Sequence, residues 1–462
     1  MAVLAPLPTR SPRAAPWADE ARALLILAGP LVLTQLGQMA IMTTDIVLLG
    51  RFGQGALAAA AIGNTIFFFA WLMGGGPASA VSPMIAHIRG ERPANRGGVR
   101  ASLRMSLWSV ALVSAPMMLV LWLARPILLA LGQEPTLAAG AGRFDGVLAF
   151  GLPFSLGFLV LRNFTAALGR PRVGMWVMAA TIGVNALAGW TLIFGHFGAP
   201  RLGIVGSGLA TALSAVFSFG CMIAIIQATP ALRAYRMFRR FARPAAIKLR
   251  EVFRLGLPIG MTMIFEAMMF NAMTLVMGTF GAAALAAHQI ALNVASILFM
   301  VPLGVGMAAT VRVGLAAGRG DLGAARRSAI AAGVMGAGFV AICGIGLVLL
   351  GRNIAGLYIG GRAAADLAVI AMTALFLKVA AAFQLFDALQ VVAAQSLRGL
   401  KDARAPMLIA GACYWLIGAS SSLLLGLVFH MRGLGLWIGM AIGLAAAAAA
   451  LCARLGFLTQ RR

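Results

Sequence analysis

Three acidic residues lie well inside apolar runs: Asp45 in MAIMTTDIVLLG, Glu266 in IGMTMIFEAMMFNAM and Asp387 in AAFQLFDALQVVAAQ. A carboxylate in such surroundings is expensive unless it is protonated, paired or hydrated, which makes each of them a functional group by default. Desolvation favours the neutral acid, whereas a bound cation favours the charged form. Proton and sodium can therefore compete for one such carboxylate, and a sodium site near Glu266, Asp387 or Asp45 is a candidate alongside protonation. The sequence does not select between the two ions.

The neighbours of the acids are polar in a patterned way. Gln384, Asp387 and Gln390 are spaced i, i+3 and i+6, which sets two amides beside the acid on broadly one helical face, with Phe383 and Gln395 nearby. Thr262 lies one turn before Glu266 and Phe270 one turn after it, so the lining can combine cation attraction with aromatic contact. Gln35, Gln38, Asn64, Asn163 and Asn185 add polarity to the first half of the chain around Asp45. Lys378 is nine residues before Asp387, about 13 Å along a helix, too far for a pair within that helix, so its ammonium is expected to snorkel outward.

Other chemistries find little support. Cys221, Cys343, Cys413 and Cys452 form no CxxC pair and read as buried thiols. His87, His196, His288 and His430 are dispersed. No cofactor is expected, and no constellation for covalent catalysis or nucleotide binding is evident.

The elements that must position the acids are membrane helices. Of 462 residues, 61% are hydrophobic and 11% charged, against about a quarter charged in a soluble chain, and the mean hydropathy is +0.95. Apolar stretches fall at 23–49, 57–86, 105–124, 146–168, 173–195, 203–228, 255–279, 284–311, 328–350, 367–397, 407–429 and 434–453, giving twelve spans. With the N-terminus inside, one face collects 28 basic residues and the other seven, so both termini are expected in the cytoplasm. That bias also accounts for the +25 net charge without nucleic acid as a partner.

The chain divides into a tail at 1–22, a lobe of six helices at 23–228, a basic connection at 229–254, a second six-helix lobe at 255–453 and a tail at 454–462. Tyr235 and Phe238 alternate with arginines in the connection, which predicts a short amphipathic helix at the lipid headgroups. Gly50-Arg-Phe-Gly53 followed by Ala56-Leu57 matches Gly278-Thr-Phe-Gly281 followed by Ala284-Leu285 at a spacing of 228, and Pro30 meets Pro258 at the same spacing. Six spans per repeat return the chain to the face it entered, so the halves are parallel repeats.

Several motifs carry a family resemblance: Ala286-Ala287-His288-Gln289-Ile290-Ala291-Leu292-Asn293, then Phe299-Met300-Val301-Pro302-Leu303-Gly304 and Thr310-Val311-Arg312-Val313-Gly314. Asp387-Ala-Leu-Gln390 leading to Arg398-Gly399-Leu-Lys-Asp402, and Leu257-Pro258-Ile259-Gly260 with Phe265-Glu266, complete the pattern. With these, residues 20–455 resemble the multidrug and toxic compound extrusion family, in its bacterial NorM-type branch.

The resemblance implies an all-α integral membrane protein with two six-helix bundles in a V. It implies a functional monomer in the bacterial cytoplasmic membrane, in contact with lipids. It also implies export of small organic cations or amphipathic drugs in exchange for sodium or protons. Glu266 and Asp387 resemble the second-lobe ion and substrate acids, Asp45 the first-helix acid, and Asn185 its fifth-helix partner. Gln38, Gln289, Asn293, Gln384 and Gln390 are the supporting polar cavity this reading predicts. His87, after Ser82-Pro83-Met84, stands where relatives carry a Gln-rich run. The competing expectations are a selective ion-coupled metabolite exporter and a flippase for a lipid-linked precursor.

Overall fold

The computed structural model describes residues 17–239, 241, 245–360 and 364–460. The tail 1–16 and Arg240, Arg243, Arg362, Arg461 and Arg462, counted in the charge bias above, lie outside the described residues.

The described chain has twelve helices long and apolar enough to cross a membrane: α1 (Trp17–Phe52), α2 (Gln54–Glu91), α3 (Arg96–Trp122), α4 (Pro135–Ala167), α5 (Pro171–Phe194), α6 (Ile204–Ala228), α7 (Ala246–Gly278), α8 (Ala282–Gly318), α9 (Leu322–Tyr358), α10 (Asp366–Gly399), α11 (Arg404–Val428) and α12 (Arg432–Gln460). Most extend past the apolar runs that announce them, because polar end-residues continue the helix. Proline at the first turn is compatible with a helix start and opens α4 and α5. Asn95 and Asp321 cap α3 and α9, accepting from Gly98 N at 2.8 Å and Ala324 N at 2.7 Å.

The repeat is visible in the backbone. Pro30 and Pro258 lie inside α1 and α7. Their carbonyls accept from Thr34 at 2.7 Å and Thr262 at 2.8 Å, four residues on in both cases. Gly281 precedes α8 at φ 103°, a conformation glycine adopts without the strain a side chain would bring. Gly53 fills the same place before α2.

Within the first half α1 packs on α5, α5 on α6, α2 on α4 and α4 on α6; within the second, α10 packs on α8, α9 and α12, and α11 on α7 and α12. Across the halves α1 meets α8, and α2 meets α7 and α8. One buried cluster joins Leu24, Leu27 and Leu31 of α1 to Val305 and Ala308 of α8. A second joins Ala80, Met84 and Met105 to Val252, Leu255 and Ile259. Early α1, late α2, early α7 and late α8 all lie toward the face at which the chain begins, here termed the tail face. Small residues let the backbones approach there: a side chain at Gly76 would meet the Gly260 Cα at 2.7 Å.

An ion pair sits at the same level. Glu20 of α1, 6% exposed, accepts from Arg312 Nε of α8 at 2.9 Å, from Arg312 Nη2, and from Ser328 Oγ of α9 at 2.5 Å. The first half is thereby bonded to two helices of the second.

The connection between the halves differs from its expected form. Among the described residues before α7 begins at Ala246, Pro230–Arg233 form a single helical turn, and Arg236 at φ 48° ends its continuation. Tyr235 turns inward rather than toward lipid: its hydroxyl accepts from Arg89 Nη1 at 2.7 Å, and its ring meets Phe164 edge-on at 5.8 Å. Farther along, Trp108 Nε1 of α3 donates to Phe241 O at 3.0 Å and the two rings stack. The described residues of the segment form a strap packed against the first half.

The cysteines are also less uniform than expected. Cys413 is buried, Cys221 and Cys343 are half-buried and Cys452 is exposed. An apolar run at a lipid-facing surface needs no burial against protein, so hydropathy alone does not place a thiol in the core.

Candidate functional site

In the second half, α7, α10 and α11 bring a compact polar cluster together. Gln390 Nε2 donates to Asp387 Oδ1 at 3.2 Å and to Glu266 Oε1 at 3.4 Å. Its own Oε1 accepts from Tyr414 OH at 2.9 Å. One amide thus stands between two acids from different helices, and a phenol orients it. Asp387 is 4% exposed and Gln390 2%, while Glu266 is half-buried. A shared neutral donor leaves most carboxylate lone pairs free for a proton or a cation, which is what a site that must load and unload needs.

Gln384 serves a different purpose, donating to the Ala295 carbonyl of α8 at 2.6 Å. Gln289 and Asn293 are exposed, and Asn293 accepts from Tyr358 OH of α9 at 2.9 Å. These two do not join the acid cluster. Lys378 is exposed and lines a surface cleft with Arg352 and Asn353, in keeping with an outward-reaching ammonium. The aromatic wall beside the acids consists of Phe270 and Phe383, edge-on at 5.9 Å, with Trp437 behind Phe383 at 5.5 Å.

The first half holds a second group. Asp45 Oδ2 accepts from Thr211 Oγ1 of α6 at 2.9 Å, and its Oδ1 has no partner. Asn185 of α5 lies alongside Asp45 and is fully buried. Neither of its side-chain atoms reaches hydrogen-bond geometry. A half-satisfied carboxylate, a hydroxyl and an unpaired amide from three helices supply the oxygen ligands that hard cations prefer.

Between the halves lies a cavity of about 60 Å³, lined by α1, α2, α4, α7, α8 and α10. Arg162 of α4 reaches it and donates to Gln35 Oε1 at 2.7 Å and to Gln38 Oε1 at 3.5 Å. Gln38 is therefore an arginine partner, placed apart from Asp45. From the other half Arg398 donates to Gln395 Oε1 at 3.2 Å, and Thr310 Oγ1 donates to Gln395 O at 2.8 Å.

Sequence reading missed Tyr414, a polar aromatic in an apolar run on a different helix from the acids it serves. It also missed Asp145. The apolar run of the fourth span starts at 146, whereas α4 starts at Pro135 and carries Asp145 inward to 0% exposure with both oxygens unpartnered. Among the described residues no group of three or more His, Cys, Asp or Glu forms a metal cluster.

The family model described as MatE matches residues 30–191 and 258–424, one stretch in each half. A "Probable multidrug resistance protein NorM" of Mesorhizobium japonicum is 43% identical over 439 residues, covering 95% of this chain and 94% of the relative. One from Brucella suis is 41% identical over 428 residues, covering 93% of this chain and 91% of the relative. The crystal structure of the eukaryotic MATE transporter AtDTX14 aligns at a TM-score of 0.83 and 22% identity over 96% of this chain and 97% of that one, a likeness of fold. With twelve membrane-spanning helices and polar sites buried among them, this multi-pass chain is a secondary transporter rather than an enzyme, and it belongs to the MATE family, in its NorM-type branch.

Proposed function

We propose that the chain is an efflux antiporter of the bacterial cytoplasmic membrane, moving small organic cations or amphipathic compounds outward as sodium or protons flow in. The observation that carries this reading is the Gln390 amide donating to both Glu266 and Asp387. Two acids sharing one neutral donor can accept a proton, a metal cation or an organic cation, and occupancy by one disfavours the others by charge repulsion. Exchange needs that competition.

In this reading the tail face is cytoplasmic, in line with the basic-residue bias, and the two bundles form a V closed at that face. The cross-half contacts of early α1, late α2, early α7 and late α8 support it. Compound enters from inside after the halves part at the tail face and leaves outside when they close there. Inward cation flow through Glu266 and Asp387 resets the cycle, with Asp45, Asn185 and Thr211 as a second coupling site. Both halves lie in one chain, so the cycle runs in a monomer. The relatives' description as probable multidrug resistance proteins supports a broad compound range.

The test is uptake of a fluorescent organic cation into proteoliposomes under separate sodium and proton gradients with membrane potential clamped. Wild type should respond to at least one gradient, and Glu266→Gln and Asp387→Asn should each reduce gradient-driven transport at least tenfold. Full coupling in both variants would refute the site assignment. A wild type indifferent to both gradients would refute the antiporter.

A further inference from the structure

A buried guanidinium is stable only when something answers its charge. Arg162 is 3% exposed. Its hydrogen bonds go to the neutral side-chain oxygens of Gln35 and Gln38, and its Nε has no partner. No ion pair joins it to a carboxylate among the described residues. Its stem lies close against α5, where a side chain at Gly174 would meet the Arg162 Cγ at 2.8 Å. The head is thus held in place.

Arg398, 8% exposed, lines the same cavity from the second half, and no Asp or Glu is in the lining. Arg398 also feels the charge of Glu266, whereas Arg162 has no such acid. Two like charges from opposite halves therefore line one small cavity, where burial of both side chains strengthens their repulsion relative to water. Asn163 and Gln35 add neutral polar groups to the wall.

The geometry points to an anion site between the halves, in which a halide, a small oxyanion or the carboxylate or phosphate end of a transported compound sits between Arg162 and Arg398. Guanidinium groups pair with carboxylate and phosphate through paired N–H donors. A cavity of about 60 Å³ admits several water-sized groups, each needing roughly 10–15 Å³. An anion there neutralises the repulsion between the halves and favours their closure at the tail face. Arg162 has no contact with the acid cluster, and occupancy of the site is measured without any gradient, so failure of the coupling assignment leaves this proposal intact.

The experiment uses the purified full chain in nanodiscs, with chloride and inorganic phosphate titrated against gluconate at constant ionic strength while thermal unfolding is followed. A second arm compares binding of a carboxyl-bearing rhodamine with its ethyl ester. A saturable rise in Tm with either inorganic anion, its midpoint shifted at least tenfold in Arg162→Gln and Arg398→Gln and partly restored in Arg162→Lys, supports the site with a free ion as occupant. Tighter binding of the carboxyl dye than of its ester, abolished by Arg162→Gln, supports it with the transported compound as occupant. If Arg162→Gln does not fold, Arg398→Gln reads the same two arms. The proposal is overturned if wild type shows neither effect, or if the folded arginine variants retain both unchanged.

Discussion

At the scale of single residues, the second-half site depends on a group that carries no charge. Tyr414 fixes the Gln390 carbonyl, which leaves the amide nitrogen to face Asp387 and Glu266. Removing the hydroxyl in Tyr414→Phe leaves a buried carbonyl unpaired, a cost of about 1–3 kcal/mol, and frees the amide to rotate. The expected result is a lower Tm in detergent and a weaker apparent affinity for the coupling ion, with Glu266 and Asp387 intact. An ion titration of transport beside a melting curve checks both. The acids and Gln390 were legible in sequence because an intramembrane charge is conspicuous and i, i+3 spacing sets side chains on one face. Tyr414 was not, because a tyrosine in an apolar run looks the same whether its hydroxyl meets lipid headgroups or a glutamine. Gln289 and Asn293 are exposed on α8 and stand apart from the acids, because helical spacing gives a face and packing sets which neighbour that face meets.

At the scale of elements, the contact between the halves at the tail face combines close backbone approach with the Glu20–Arg312 ion pair. Burying the Glu20 carboxylate against Arg312 and Ser328 ties α1 to α8 and α9. Taking one member from a buried pair costs about 3–5 kcal/mol because the other charge is left stranded. Glu20→Ala should therefore shift the resting population toward separation of α1 and α8 at the tail face. Distance measurements between spin labels at that end should lengthen, while labels placed within one half stay unchanged. α11 shows a different local device. Its hydrogen bonding widens to the five-residue pattern over Ala412–Ala419 and Leu424–Val428, a feature common where helices carry function, and Tyr414 lies in the first of these stretches. Periodicity in sequence cannot reveal such a widening, since the apolar composition on either side is the same.

At the scale of the whole molecule, the twelve-helix count was legible because lipid imposes length and hydropathy on every span. The strap was not, since a basic aromatic segment satisfies the rule for headgroup binding whether or not a pocket in the first half accepts Tyr235. The packing of Val32 on Gly304, where an added side chain would meet the valine Cα at 2.9 Å, offers a direct check on how the halves work. Gly304→Val should therefore wedge α1 and α8 apart, lengthening spin-label distances across the halves at the tail face and reducing transport at least tenfold. Unchanged distances and full transport in Gly304→Val would mean that close approach of α1 and α8 is not part of the cycle. The matched Pro30–Thr34 and Pro258–Thr262 bonds have a bearing on ancestry. A six-span unit that leaves by the face it enters can be copied in tandem without reversing its direction of insertion, so a pair of identical units can be fused by a strap at the tail face alone. The two copies no longer match at their acids: Asp45 of the first stands opposite Met273, 228 residues later.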